Sequence, residues 1–453
     1  MHHRATTIKA VAGIRNGNME LIVSLNGIKV GTLSKDKNGG LHFSYTEQWM
    51  ERPGARPISL SLPITKQKYS GDVVYNFFDN LLPDSPNIRN KIQARFNIGS
   101  GHSFDLLAAI GNDCVGAIQL SSQQPELVNQ INYKALSTQE IEKLLQGYKH
   151  TPLGMEIDDD DFRISIAGAQ EKTALLKIDK QWTKPIGATP TSHIMKLPMG
   201  ELPQVGIDLT DSCENEFICL ELARAFGFDV ANSEVLYFGG QKVLSVERFD
   251  RRYASDGSWL MRLPQEDFCQ SMGVSSAQKY QSDGGPGIAD CLNLLTASSN
   301  AEDRATFFKA QIFFWLIAAI DGHGKNFSVF LEPENRYRMT PLYDILSAFP
   351  MMSKSASKIA SKKALQPQKI KMAMSLKGRN THWKWSNIQP RHFVSTAEHV
   401  KYPVDKAISH YEYFIDNVES AIAKVEGKIE NNFPAYIAEA IFCGLRKQAA
   451  KKL

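Results

Sequence analysis

Three oxygen-bearing side chains, Asp321, Asn326 and Asp344, are placed in this sequence so that together they could serve phosphoryl transfer. Asp321 closes an apolar run, Ile312 to Ile320, that reads as a buried helix. Gly322, His323, Gly324 and Lys325 then lead to Asn326 and the strand-like Phe327-Ser328-Val329-Phe330. Polar groups at the edge of a core are costly unless a ligand or metal uses them. Asp321 and Asn326 stand five residues apart, the separation between the catalytic acid and the metal-binding Asn of protein-kinase catalytic loops. Asp344 ends a second strand-like segment, Tyr337-Arg338-Met339-Thr340-Pro341-Leu342-Tyr343. One carboxylate would orient or deprotonate an attacking hydroxyl, while the Asn and the second carboxylate would hold Mg2+ bridging phosphates. Taken singly, Asp321 reads as a helix cap and Asp344 as a turn. The set, in this strand context, reads as chemistry.

Such chemistry needs a loop over the phosphates and a lysine. Ser165-Ile166-Ala167-Gly168-Ala169-Gln170-Glu171-Lys172-Thr173 is a run of small residues between two apparent strands, and its backbone N–H groups could approach phosphates closely. It is not a Walker A loop, because Glu171 precedes Lys172. Lys196 carries the stronger signal, as a lone charge in the apolar strand His193-Ile194-Met195-Lys196-Leu197. Either it meets an anion, with Glu216 on the next helix holding it, or it snorkels to solvent.

The elements that must position these groups are legible in outline. Leu21 to Leu25, Asn26-Gly27, Ile28 to Leu33, Asn38-Gly39-Gly40 and Leu41 to Tyr45 read as a three-stranded meander, since Asn-Gly tolerates the positive φ of a hairpin turn. From Val73 to Arg95 the period is helical, interrupted at Pro83. Ser121 to Gln130 reads as a connector. Phe162 to Ile166, Thr173 to Ile178 and Val243 to Phe249 read as strands, and Glu214 to Phe226 as a helix with Phe217, Leu220, Leu222 and Ala225 on one broad face. Strands first and mostly helices from about residue 265 predict a two-lobed α+β arrangement.

Composition narrows the class. Over 453 residues, 43% hydrophobic and 22% charged content excludes a disordered, collagenous or disulfide-scaffold chain. The longest apolar run has nine residues, far short of the ~20 of a membrane span. Met1-His2-His3-Arg4 lacks a secretory pattern, and the six cysteines form no CxxC pair, so reduced thiols in a cytoplasm are expected. Net charge is only +4, yet residues 345–397 hold ten bases and no acid, leaving the remainder at −6. That block suits a polyanion, or else a solvated lysine-rich loop around Lys354 to Lys371. Trp383 and Trp385 among its later bases read either as a binding surface or as core.

The sequence resembles the HipA family of serine/threonine kinases, toxins of bacterial toxin–antitoxin pairs. The resemblance rests on Asn76-Phe77-Phe78-Asp79-Asn80-Leu81-Leu82-Pro83-Asp84-Ser85, on Phe162 to Thr173, on Val246-Glu247-Arg248-Phe249-Asp250-Arg251, on Leu263-Pro264-Gln265-Glu266-Asp267, and on Asp321 to Phe327. It implies a two-lobed protein-kinase-like fold with an N-terminal β-rich α+β subdomain at 19–125, a nucleotide-binding lobe at 126–264 and a largely helical lobe at 265–440; outside it lie an extension at 1–18 and a basic tail at 441–453. By that resemblance Asp321 is the catalytic acid, and Asn326 and Asp344 hold Mg2+. ATP is met by Ala167, Gly168, Ala169, Gln170, Glu171 and Lys172 as the loop, by Lys196, and by Glu247, Arg248 and Phe249 at the adenine hinge. Asp250 lies near the ribose, and His323, Gly324, Lys325 and Tyr343 complete the site. Ser165 matches the family's autophosphorylated serine. Implied partners are a DNA-binding HipB-type antitoxin, operator DNA contacted through Lys384, Arg391 and Lys401, and a protein substrate of the translation machinery such as an aminoacyl-tRNA synthetase, with growth arrest as outcome. Another family DNA position carries an acid here, Glu398. Rival readings are a small-molecule kinase of the aminoglycoside-phosphotransferase kind and a catalytically silent co-repressor.

Overall fold

The computed structural model describes residues 13–15, 18–124, 127–150, 170–202, 207–352, 365–430 and 432–453. Ser165, Ala167, Gly168 and Ala169, the Phe162–Ile166 strand and Lys354 to Lys363 of the basic block lie outside them.

The Asn26-Gly27 turn takes positive φ at both residues, 49° and 78°, and joins strand Asn18–Leu25 to Ile28–Lys35 in the expected meander with Leu41–Tyr45. Ile118–Ser121 returns to pair with Asn18–Leu25, and Lys68–Ser70 adds to the other side. Gly13–Arg15 also pairs with Asn18–Leu25, so the sheet reaches into the stretch read as an extension. Helices Asp72–Asp79, Pro86–Arg95 and Ser103–Ile110 complete a core around Phe43, Phe77, Phe78, Leu82 and Phe104. Pro83 separates the first two. The second helix starts with Pro86 at its first position and Ser85 as its cap, where a missing N–H costs nothing.

A second six-stranded antiparallel sheet has the order Ser233–Phe238, Gln241–Glu247, His193–Lys196, Lys172–Ile178, Gln181–Pro185, Tyr133–Ala135. Helix Ser212–Ala225 lies between this sheet and the helical lobe. It is buried nearly all round rather than on one face, because Glu214, Glu216 and Glu221 are buried too, each paired with a base. The second lobe sets a three-stranded sheet, Gln265–Asp267, Ser328–Leu331 and Tyr337–Met339, beside helices Asp303–Leu316, Val404–Glu426 and Ala435–Ala449. Phe226, Phe228, Phe313 and Phe414 knit them together.

One expectation changes and one open alternative is settled. The apolar run Ile312 to Ile320 is helical only to Leu316; Ala318 turns left-handed at φ 53°, and Ile317 to Ile320 form a connection. The turn frees carbonyls that receive Ser347 Oγ at 2.6 Å and the Ala348 N–H at 2.9 Å, tying the chain before Asp321 to the chain after Asp344. Trp385 is core, 8% exposed, with its indole N–H on the Trp315 carbonyl at 2.9 Å, while Trp383 is half-buried.

A buried charge cluster joins the N-terminal subdomain to the rest. Asp113 receives Arg251 at 2.9 Å, Arg262 at 3.0 Å and Arg248 at 3.4 Å, and Asp250 receives Arg248 at 2.9 Å. Burial opposes ionisation of Asp113, but the three guanidiniums hold its carboxyl well below the usual range. Removing one partner from a buried ion cluster costs about 3–5 kcal/mol. Asp113→Asn should therefore lower the urea unfolding midpoint by an amount equivalent to about 3 kcal/mol or more. Arg446→Ala, at the exposed pair with Glu419, should barely move it. Equal small shifts in both variants would mean the cluster does not hold the subdomain.

Candidate active site

Register creates the problem that this site solves. On antiparallel strands Lys196 stands directly opposite Lys172, and like charges opposite one another destabilise a sheet. Two carboxylates offset that repulsion: the Lys196 ammonium donates to Glu216 Oε1 and to Asp344 Oδ1, each at 2.6 Å. Burial works against the Lys196 charge, yet Asp344 and Glu216 outweigh it and hold its pKa above the ordinary value. Asp344 is likewise opposed by burial, but Lys196 and Lys172 keep it ionised far into acid. Burial raises Glu216, the deeper acid, against the pull of Lys196. For Lys172, burial and then Lys196 lower its pKa to about 8. The Asp344 backbone is left-handed at φ 58°, a conformation Asp tolerates better than most side chains.

The Asp321 loop is built from its own hydrogen bonds. Asn326 Nδ2 and the His323 N–H both donate to the Asp321 carbonyl, at 2.7 and 2.8 Å, and the Asn326 N–H on the His323 carbonyl at 2.9 Å closes the 3-10 turn Gly324–Asn326. A Cβ at Gly324 would meet Cys269 Sγ at 2.8 Å, so only glycine fits there. Lys325 is buried and donates to Asp84 Oδ1 at 2.8 Å and to the Asn80 carbonyl at 3.3 Å. Lys279 reaches the same Asp84 at 3.0 Å. Burial opposes the Asp84 charge, but the two lysines hold its pKa at about 2. The Tyr343 hydroxyl donates to the Lys325 carbonyl at 2.9 Å. Lys325 and Tyr343 thus have their polar ends engaged in holding the loop.

One cleft gathers Gln170, Lys172, Lys196, Glu247, Phe249, Asp321, His323, Asn326 and Asp344. Phe249 packs on Tyr343 and Phe330 at 5.6 and 5.9 Å. Arg248 and Asp250 touch the same cleft, but their side chains are spent on the buried cluster. Both Asp250 oxygens accept from Arg248, and Oδ2 also takes the Gly116 N–H at 2.7 Å. Beside it Gln265 Oε1 is buried and has no hydrogen-bond partner among the described residues. Glu171 pairs with Lys91 at 2.6 Å. Sequence reasoning missed Gln265, Lys279 and the roles of Asn80 and Asp84. The last two lie in a quoted motif, but their partners are some 240 residues away.

Among the described residues no three His, Cys, Asp or Glu converge as a metal cage. Asp344 and Asn326 both line the cleft, and a carboxylate and a carboxamide are the oxygen donors that would suit Mg2+, which usually takes one or two protein oxygens with phosphates and water. Lys384, Arg391 and Lys401 are all exposed, on the hairpin strand Thr381–Lys384 and at the two ends of helix Arg391–His399.

The HipA N-terminal domain model matches residues 21–121, and the HipA-like C-terminal domain model matches residues 164–423. The chain belongs to the HipA family. The Sinorhizobium fredii protein Y4mE, which bears the name of a kinase, is 34% identical over 352 residues, 75% of this chain and 80% of its own length. The serine/threonine-protein kinase toxin HipA of Shewanella oneidensis is 28% identical over 348 residues, 73% of this chain and 75% of its own. A chain from the solved complex of Shewanella oneidensis HipA, HipB and operator DNA superposes with a TM-score of 0.75 at 22% identity, covering 95% of this chain and 96% of that one. The fold is the two-lobed, kinase-like α+β fold of HipA. Among the described residues no helix is long and apolar enough to cross a membrane.

The Lys172 shift gives a test specific to this HipA-family cleft. A lysine with a pKa near 8 is charged below that pH and loses its charge above it. Affinity for a polyanion such as ATP should be full at pH 7 and fall as pH rises from 8 to 9.5, when followed by calorimetric titration with Mg2+ present. Lys172→Met should flatten that fall. An identical pH dependence in the variant would mean that Lys172 does not meet the polyanion.

Proposed function

We propose that this HipA-family chain is an ATP-dependent serine/threonine protein kinase and the toxin of a toxin–antitoxin pair. The observation that carries the reading is that Lys196, Asp344 and the Asp321–Asn326 loop, three separate segments, line one cleft. When bound, ATP supplies the γ-phosphoryl group and Mg2+ neutralises charge developing on its phosphates. Lys196, kept charged and oriented by Glu216, contacts the phosphates. Asn326 and Asp344 hold the cation. Asp321 orients the acceptor hydroxyl and takes its proton as the oxygen bonds to phosphorus and ADP leaves. The adenine lies against Phe249 and the Glu247 backbone.

The reading extends to regulation and partners. The substrate is a protein of the translation machinery, and its modification arrests growth in the cytoplasm. Autophosphorylation at Ser165 adds about −1.5 to −2 charges beside the Ala167–Lys172 loop and turns the enzyme off. A HipB-type antitoxin neutralises the toxin, and the pair binds operator DNA, with Lys384, Arg391 and Lys401 facing the phosphates.

Asp321→Gln should abolish transfer from radiolabelled ATP while leaving calorimetric ATP affinity within about threefold, because that carboxylate acts on the nucleophile. Asp344→Asn should instead weaken Mg2+-ATP binding. Transfer by Asp321→Gln at the parent rate would overturn the assignment.

The DNA contacts have their own signature. Each phosphate neutralised releases counterions, at a slope of about −0.9 per contact in log K against log salt. Reversing charge at Lys384, Arg391 and Lys401 should make the slope of the antitoxin–operator complex shallower by about two to three units. An unchanged slope would return these bases to solvent.

A further inference from the structure

Asp321 is exposed, and an exposed carboxylate is free to rotate unless a neighbour holds it. Among the described residues the one hydrogen-bond partner of its carboxylate is Tyr280, whose hydroxyl donates to Oδ1 at 2.6 Å. Asn326, by contrast, binds the Asp321 main-chain carbonyl and leaves the carboxylate alone. Tyr280 belongs to the connection between helices Phe268–Ser271 and Ile288–Leu294, a segment no sequence motif singled out.

That connection is anchored on several sides. Asn76 and Asn80 of the N-terminal subdomain donate to the carbonyls of Gly273 and Val274 at 2.8 and 2.9 Å. The Lys279 ammonium meets Asp84, and its carbonyl accepts the Gly324 N–H at 3.2 Å. Gln281 Oε1 accepts the Ser375 N–H at 2.8 Å from the hairpin beside Asp321. The Tyr280 ring stands edge-on to His323 with centroids 4.9 Å apart. Both partners of the Tyr280–Asp321 bond are therefore fixed, the ring by packing and the loop by its own turn.

We infer that Tyr280 is a positioning residue for phosphoryl transfer: its hydroxyl pins Asp321 Oδ1 and leaves Oδ2 as the oxygen that meets the acceptor hydroxyl. The inference rests on the role proposed for Asp321 above. A bond from a phenol to a carboxylate is charge-assisted and stronger than a neutral one. Loss of orientation at a catalytic base is expressed in turnover rather than in nucleotide affinity.

The test is Tyr280→Phe in the full chain, which keeps the ring against His323 and deletes only the hydroxyl. Turnover is read with radiolabelled ATP and a protein acceptor that the parent phosphorylates, together with calorimetric Mg2+-ATP affinity and the thermal midpoint. The expected result is a fall in kcat of about tenfold with ATP affinity and midpoint unchanged. Unchanged kcat, or ATP affinity falling in step with it, would overturn the positioning role. A raised kcat would overturn it too, by making Tyr280 a placeholder that the acceptor displaces. A parent that transfers no phosphate would instead sink the kinase reading itself.

Discussion

Two lysines set directly opposite on neighbouring strands, Lys172 and Lys196, are the constraint around which this molecule is arranged. A sheet does not accept that pairing without negative charge close by. Glu216 and Asp344 supply it from two other parts of the chain, both at 2.6 Å from Lys196. Helix Ser212–Ala225 must be buried between the lobes to deliver Glu216, and Asp344 must adopt a left-handed backbone to come within reach. With two cations and two anions the cluster is balanced. Polyphosphate and a divalent cation, entering together as the proposed reaction requires, would add charges of both signs to groups that can exchange partners among them.

The N-terminal subdomain is joined to this arrangement at two depths. The Asp113 cluster fixes the body of the subdomain against the sheet through buried guanidiniums. Asn80 and Asp84 then reach the Asp321 loop through Lys325 and Lys279. The subdomain therefore contributes directly to loop geometry, although none of its residues is assigned to chemistry. Asp250 shows the same economy: the carboxylate that the resemblance placed near a ribose also holds Arg248, Arg251 and the Gly116 N–H.

Residue type and local spacing made much of the site legible. Asp321 and Asn326 are five apart on one loop, Lys196 is the lone charge of an apolar strand, and Glu216 follows on the next helix. The hairpin meander was equally plain, because Asn26-Gly27 has a local conformational preference. What stayed hidden depends on register and distant contact. Nothing in the sequence tells that Lys172 faces Lys196, that Asp84 meets Lys325, or that Tyr280 meets Asp321. The apolar run after Leu316 looked helical because hydrophobicity alone cannot distinguish a buried helix from a buried connection. Only the tertiary bonds to Ser347 and Ala348 decide it.

In the proposed reaction this cleft moves the terminal phosphate of ATP onto a protein hydroxyl. Incubating the full chain with Mg2+ and a bacterial extract, in parallel with ATP labelled at the γ- or the α-phosphate, addresses it directly. Label should come from γ-labelled ATP alone, recovered as phosphoserine or phosphothreonine after acid hydrolysis of the protein fraction and dependent on added Mg2+. Label that appears only on small molecules, or protein label arising equally from both nucleotides, would contradict it.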